Sequence, residues 1–246
     1  MEANLFHDIS RLPQERGMLF LPISLSRISN AQSAENCFKY LQHLDSKIVK
    51  TSGVGVTVLY GDYLYLLTAK ESPKDLRSRY LALMTQHRNG LLNILKKDTA
   101  WVSDFFTFKT YGQAMIDFSD IFLGYWQKVL ETYENDRFLQ KCIAFDSGKD
   151  FTQEQAHFIL EESLFLYLIK KRIVSFENKI INNHEQWVLE AYPGKPLATE
   201  TYLMQKNIFN LDDEKNRYQN HFYDADENKL YNLKEIDIEK FFNIKK

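Results

Sequence analysis

Two short apolar runs, each followed by a longer stretch with helical spacing, constrain this chain most. Met18 to Ile23 is continuously apolar and stops at the polar Ser24-Leu25-Ser26-Arg27. Such a run predicts a buried strand that ends in a loop. Ser33 to Leu44 has helical spacing through Ala34, Cys37, Phe38, Tyr40 and Leu41. Val54 to Leu59 is β-branched, reads as a second buried strand and ends at Tyr60-Gly61-Asp62. Pro73 to Lys97 then carries a long helical pattern. Strand, helix, strand, helix in that order predicts an α/β fold with a mainly parallel sheet. Ligands of such sheets bind at the carboxyl ends of the strands.

Downstream, Phe105 to Lys109 is compatible with a short strand, and Ile116 to Glu134 and Glu154 to Ile173 with helices. Trp187 to Tyr192 is strand-like and is broken by Pro193-Gly194. Ser24, Asp62 and Tyr192 all fall at predicted strand ends, where they can converge. From Asp212 onward the chain is rich in Asp, Glu, Asn, Lys and Tyr, which reads as a peripheral helical extension or a partly disordered tail. No sharp linker separates it. The pattern therefore predicts a single domain over residues 1–246, with a core over about 15–205 and a C-terminal extension over about 206–246.

Composition excludes several classes. The chain is 44% hydrophobic and 26% charged, which supports a sizeable core. A net charge of -2 announces no nucleic-acid binder, so any such surface must be a local patch. Cys37 and Cys142 have neither metal nor redox spacing and read as two free thiols. The six histidines show no paired metal spacing. Gly53-Val54-Gly55 lacks the third glycine of a dinucleotide fingerprint and precedes its strand. No signal peptide and no apolar run of membrane-spanning length appear, which predicts a soluble cytoplasmic protein.

Four residues stand out chemically. Ser24 follows a strand and can act as a nucleophile, or serve as a loop or capping serine. Ser26 is two residues on and faces the same way if the strand continues. Glu162 lies in an apolar helical row with Phe158, Phe165 and Ile169. A carboxylate facing a core needs a partner. That partner is either a substrate ammonium or a basic side chain such as Lys170 or Arg172. Tyr192 ends a strand, where its phenol can relay a proton or simply pack. Between Ala69 and Lys97, the seven basic residues Lys70, Lys74, Arg77, Arg79, Arg88, Lys96 and Lys97 face only Glu71 and Asp75. His87 adds potential charge. Such an excess can grip a phosphate backbone.

Taken in order, these parts resemble the tRNA-dependent cyclodipeptide synthases. That family has an apolar strand ending in Gly-aliphatic-Ser, to which Met18 to Ser24 is similar, with Pro22 in place of the glycine. Val56 to Asp62 and the basic helix follow. Phe138 and Cys142 resemble a Phe-x-x-x-Cys stretch. Phe158-Ile159-Leu160-Glu161-Glu162-Ser163-Leu164 resembles Tyr-aliphatic-x-x-Glu-x-Pro, keeping the glutamate and losing the tyrosine hydroxyl and the proline. Tyr192-Pro193 looks like the branch that follows the last catalytic tyrosine with proline, given an insertion around Asn182 to Gln186.

The resemblance spans roughly residues 15–200. It implies a Rossmann-like fold similar to the catalytic domains of class I tyrosyl- and tryptophanyl-tRNA synthetases. It implies an aminoacyltransferase that joins two aminoacyl-tRNA substrates into a cyclic dipeptide, a 2,5-diketopiperazine. The first step forms an aminoacyl ester on Ser24. The resemblance implies that no ATP is required; the residues themselves predict no cofactor, metal or membrane partner, and monomer is the default expectation, with oligomeric state left open. Catalytic roles fall to Ser24, Glu162, Tyr192 and the Phe158 position. Pro22, Pro193, Asp62 and Leu164 are implied to bind substrate, and Lys74, Arg77, Arg79, Arg88, Lys96 and Lys97 to bind tRNA. Pocket walls near Leu21, Ile23, Leu164 and Phe165 suit modest side chains. A non-catalytic tRNA-binding protein of the same fold, an unrelated serine-dependent α/β hydrolase and a structural protein are the alternatives.

Overall fold

The computed structural model describes residues 17–45, 55–62, 73–97, 106–148, 151–174, 176, 187–214, 216 and 218–245. Six described strands form one sheet in the order β3-β2-β1-β4-β5-β6. They are β1 (Gly17–Ile23), β2 (Gly55–Tyr60), β3 (Phe106–Thr110), β4 (Trp187–Tyr192), β5 (His221–Asp224) and β6 (Lys229–Asn232). The first five are mutually parallel, and only β6 runs antiparallel, against β5. The helices are α1 (Ala34–Asp45), α2 (Pro73–Leu95), α3 (Tyr111–Asp117), α4 (Ser119–Asn135), α5 (Arg137–Ser147), α6 (Gln153–Lys170), α7 (Ala198–Lys206) and α8 (Ile238–Phe242). The predicted α/β class with a mainly parallel sheet is the observed one. No described helix is long and apolar enough to cross a membrane.

Each face of the sheet has its own core. Leu19, Leu21, Val56 and Val58 pack with Cys37, Leu41 and Leu91 from α1 and α2. Met18, Phe20 and Val188 pack on the other face with α3 to α8. The alternation along β1 therefore sends Pro22 and Ser24 to the second face, the one covered by α6. Strands buried on both faces read as continuous apolar runs, which is why β1, β2 and β4 are prominent in the sequence. Gly17 is required by packing. A Cβ there would fall 1.9 Å from the Trp187 ring, so only glycine lets β1 and β4 begin their ladder at this pair.

Helix α6 starts with a capping box, in which Thr152 accepts from the Gln155 N–H and the Gln155 side chain accepts from the Thr152 N–H. From Ser163 to Lys170 it is buried on every side. Two regions depart from the sequence pattern. The helix expected over Ile116 to Glu134 is two helices, because Phe118 leaves helical geometry and donates its N–H to Ala114 to close α3. The tail expected to be a peripheral helix or disordered instead supplies β5 and β6 to the main sheet. Asp224 ties their turn, accepting from the N–H groups of Asp226, Glu227 and Gly194. Gly53, Val54, Lys70, Glu71, Phe105 and the inserted Asn182 to Gln186 lie outside the described residues.

Candidate active site

Strand order reverses between β1 and β4, because β2 and β3 extend the sheet on one side and β5 on the other. A crevice at the carboxyl ends of the strands forms at such a switch point. Here the two strands also part early. β1 pairs with β4 only as far as Phe20 and Glu190, whereas it stays paired with β2 to Ile23. Pro22 has no N–H to extend a ladder, and its C=O accepts instead from Gln32 Nε2 at 2.7 Å. Gln32 Oε1 in turn accepts the Ser24 N–H at 2.8 Å. One buried amide thus clamps both sides of Ile23 and sets the exit of the chain toward Ser24. Replacing Gln32 by leucine strands a half-buried carbonyl and a half-buried N–H, so a loss of about 1–2 kcal/mol is expected in denaturant unfolding. Any function of Ser24 should fall with it.

Ser24 lines a cavity of about 160 Å³, and its hydroxyl lies 2.8 Å from that of Ser26, with either able to donate. Phe158, Glu162 and Leu166 line the same cavity at four-residue intervals along one face of α6. Tyr192 closes it from the end of β4. Glu162 makes no hydrogen bond or ion pair among the described residues. Its carboxyl is pushed up to about 7, first by burial and then by the carboxylates of Glu190, Asp146 and Glu161. The two basic partners available from sequence are engaged elsewhere. Lys170 pairs with Glu190 and Glu200, and Arg172 with Asp213. Glu162 is therefore a deep acceptor that faces the cavity.

The other expected residues fall in different places. Pro22 lines the cavity. Leu164 does not: it is fully buried in the core, because a two-residue offset from Glu162 turns it to the far side of α6, and Leu166 takes the wall instead. Asp62 accepts the Gly112 N–H at 3.0 Å and tethers the start of α3, while its neighbour Gly61 faces the cavity. Pro193 is buried, and its C=O accepts from Arg27 Nη1 at 2.8 Å. The same guanidinium lies 5.3 Å from the Tyr192 ring centroid, so Arg27 fixes the end of β4 to the Ser24 loop.

On α2, Arg77, Arg79 and Arg88 are exposed, as are Lys96 and Lys97 just beyond the helix end, and Lys74 lies in its first turn. Arg77 and Arg88, about three turns apart, share one side, whereas Arg79 is turned roughly 160° away. His87 adds no charge to this surface. It is buried against Tyr60, 2.9 Å from its hydroxyl, and burial lowers its pKa to about 4.

Sequence reasoning missed Gln32, Arg27, Leu166, Glu190 and Glu200, and it offered Lys170 only as a partner of Glu162. Glu190 had a usable signal, since it precedes Tyr192 by two residues on the same strand face. The others acquire their roles only through tertiary contact.

Comparison with protein-family models and with curated proteins gives no match. Solved structures do match. The CDPS, or cyclodipeptide synthase, from Staphylococcus haemolyticus aligns over 82% of this chain and 87% of its own, at 15% identity and a TM-score of 0.51. A CDPS from Fluoribacter dumoffii aligns over 78% of this chain and 83% of its own, at 13% identity and a TM-score of 0.54. This chain shares their Rossmann-like fold.

Proposed function

We propose that this protein is a cyclodipeptide synthase that joins the aminoacyl groups of two aminoacyl-tRNAs through an ester on Ser24. The carrying observation is one cavity, at the switch point of the sheet, lined by a serine hydroxyl and by a deep carboxylate with no basic partner among the described residues. The shared fold and the order of the sequence motifs support the same reading.

Ser24 Oγ attacks the ester carbonyl of the first aminoacyl-tRNA. Its proton passes to the departing ribose hydroxyl, leaving an aminoacyl ester on the enzyme. Glu162 holds the α-ammonium, each charge offsetting the other's desolvation. A carboxyl with a pKa of about 7 can also accept the proton that the ammonium must lose before it attacks. That amine attacks the second aminoacyl-tRNA ester and releases the second tRNA. The new terminal amine then closes on the Ser24 ester, the C–Oγ bond breaks, and Tyr192 relays the proton back to Oγ. The tRNA esters supply the activation, so no nucleotide hydrolysis is needed. Phe158 has no hydroxyl, and it acts by packing against the substrate beside Glu162.

Mass spectrometry of medium from a bacterium expressing the chain tests this reading. A new cyclic dipeptide is expected from the wild type and from Ser26→Ala, and none from Ser24→Ala. Loss with Ser26→Ala alone would move the nucleophile by two residues. No product from folded protein would leave a tRNA-binding protein without this chemistry. The tRNA is assigned to the side of α2 that carries Arg77 and Arg88. Arg77→Glu with Arg88→Glu is expected to weaken tRNA binding at least about tenfold and to lower its salt dependence by about two phosphate contacts. Unchanged binding would move the tRNA to another surface.

A further inference from the structure

The row Phe158, Glu162, Leu166 continues to Lys170, about 12 Å beyond Glu162 along α6. Lys170 is fully buried, with its ammonium 2.5 Å from Glu190 Oε2 and 2.5 Å from Glu200 Oε1. It also lies 5.4 Å from the centroid of the Phe222 ring. Glu190 and Glu200 both line the cavity that holds Ser24 and Glu162. The Glu200 carboxyl is fully buried, paired with Lys170 and hydrogen-bonded to Glu190.

Among the described residues, the buried charges of this cavity do not balance. Glu162, Glu190 and Glu200 face it, and Lys170 is the cation between them. Lys195 lines the mouth but is exposed, so solvent screens its charge from the buried carboxyls. Arg27 is held on Pro193, and Lys171 on Asp212. The substrate α-ammonium at Glu162 meets one of the two missing positive charges. A carboxylate left over in an apolar cavity is costly and draws in a cation or a proton. Leu166, Leu197 and Phe222 line the same cavity. Aliphatic and acidic side chains thus share one enclosed space.

We infer that Glu200 and Glu190, bridged by Lys170, select an aminoacyl group whose side chain is an aliphatic stem with a cationic head, as in lysine or arginine. This rests on the reading of the cavity as the aminoacyl site. Leu166 and Phe222 cover the stem, and the Glu200 carboxylate accepts the hydrogen bond of the head in place of its contact with Glu190. With the pocket empty, burial and the neighbouring Glu190 carboxylate raise the Glu200 pKa well above the usual carboxylate range, and the missing charge is met by a proton. When the cationic head enters, that proton leaves to solvent. The modest apolar pocket expected from sequence is thus replaced by one with a charged base.

Two measurements test the assignment. Purified wild-type protein is offered lysyl-tRNA and leucyl-tRNA separately, and acylation of Ser24 is followed by mass spectrometry of the intact protein. Lysyl transfer is expected to exceed leucyl transfer by at least about tenfold. Cyclic dipeptides in medium from cells expressing the wild type should contain a basic residue, and Glu200→Leu should shift them at least about tenfold toward apolar ones. Glu200→Gln, which keeps the shape, should shift them in the same direction. Leucyl transfer equal to or above lysyl transfer, or wild-type products made only of apolar residues, would overturn the inference and leave the synthase reading intact. No acylation and no product with any substrate would overturn both.

Discussion

Replacing Glu162 by glutamine is expected to remove nearly all cyclic dipeptide formation while making the protein more stable above pH 7. Both effects follow from one fact: a carboxylate is held deep in the cavity without a basic partner among the described residues. For activity, the neutral amide of the Glu162→Gln variant cannot carry the charge that opposes the substrate ammonium. Truncating one side of a desolvated charge pair costs about 2–5 kcal/mol, which corresponds to a loss of roughly 10²–10³-fold in kcat/KM.

For stability the sign is opposite. Burial and three neighbouring carboxylates raise the Glu162 pKa to about 7 from an ordinary value of 4.5. The folded state then binds more protons than the unfolded state between those values, so stability falls as pH rises through that window. Glutamine removes this contribution. The variant should match the wild type near pH 4 and exceed it by about 2–3 kcal/mol at pH 8, a rise of several degrees in Tm. Thermal melts of both proteins at the two pH values check this. A variant less stable than the wild type at pH 8 would mean that Glu162 has a stabilising partner, and its role as an open ammonium acceptor would fail. In the wild type, single-turnover acylation should rise with pH up to about 7, as Glu162 ionises.

The legible and illegible parts of this molecule differ for physical reasons. β1, β2 and β4 are buried on both faces, so burial writes itself into the chain as apolar runs. α6 is read for the same reason, and Glu162 stands out because it interrupts such a run. Helix α7 is different. Ala198 to Met204 is buried throughout, yet it contains the polar Thr199, Glu200 and Thr201, which carry no apolar signal of burial. Glu200 and the lysine that meets it, Lys170, are 30 residues apart, so no local window reveals the pair. The β5–β6 ribbon is made of two four-residue strands with several polar residues, and only their pairing in the sheet gives them structure. Ser24 and Tyr192 are readable as strand ends. The amide clamp of Gln32 is not, because its two targets are backbone atoms.

Replacing Lys170 by methionine is expected to be the most damaging core substitution on the cavity side of the sheet. Methionine fills a similar volume, so packing is roughly kept. What is lost is the cation between Glu190 and Glu200. Breaking a buried ion pair from one side costs about 3–5 kcal/mol, because the remaining charge keeps its desolvation cost without its partner. In a chain of this size that is roughly a 10 °C fall in Tm. The loss should depend on pH. Without Lys170 the Glu200 carboxyl, raised by burial and by Glu190, loses the cation that opposes that rise and holds its proton more tightly when folded than when unfolded. The destabilisation is then largest above its folded pKa and shrinks as pH falls below it. Adding Glu190→Gln and Glu200→Gln to Lys170→Met removes both stranded charges and should recover most of the stability, since a neutral, well-packed replacement of a buried ionic cluster is often tolerated. It should not recover selection of a basic aminoacyl group. Denaturant unfolding at pH 5 and pH 8 of the single and triple variants separates these effects. A loss below about 1 kcal/mol in the single variant at pH 8 would mean that the two glutamates share a proton and need no cation. The acidic base of the cavity would then be electrically neutral, and the charge argument for a basic substrate would fall with it.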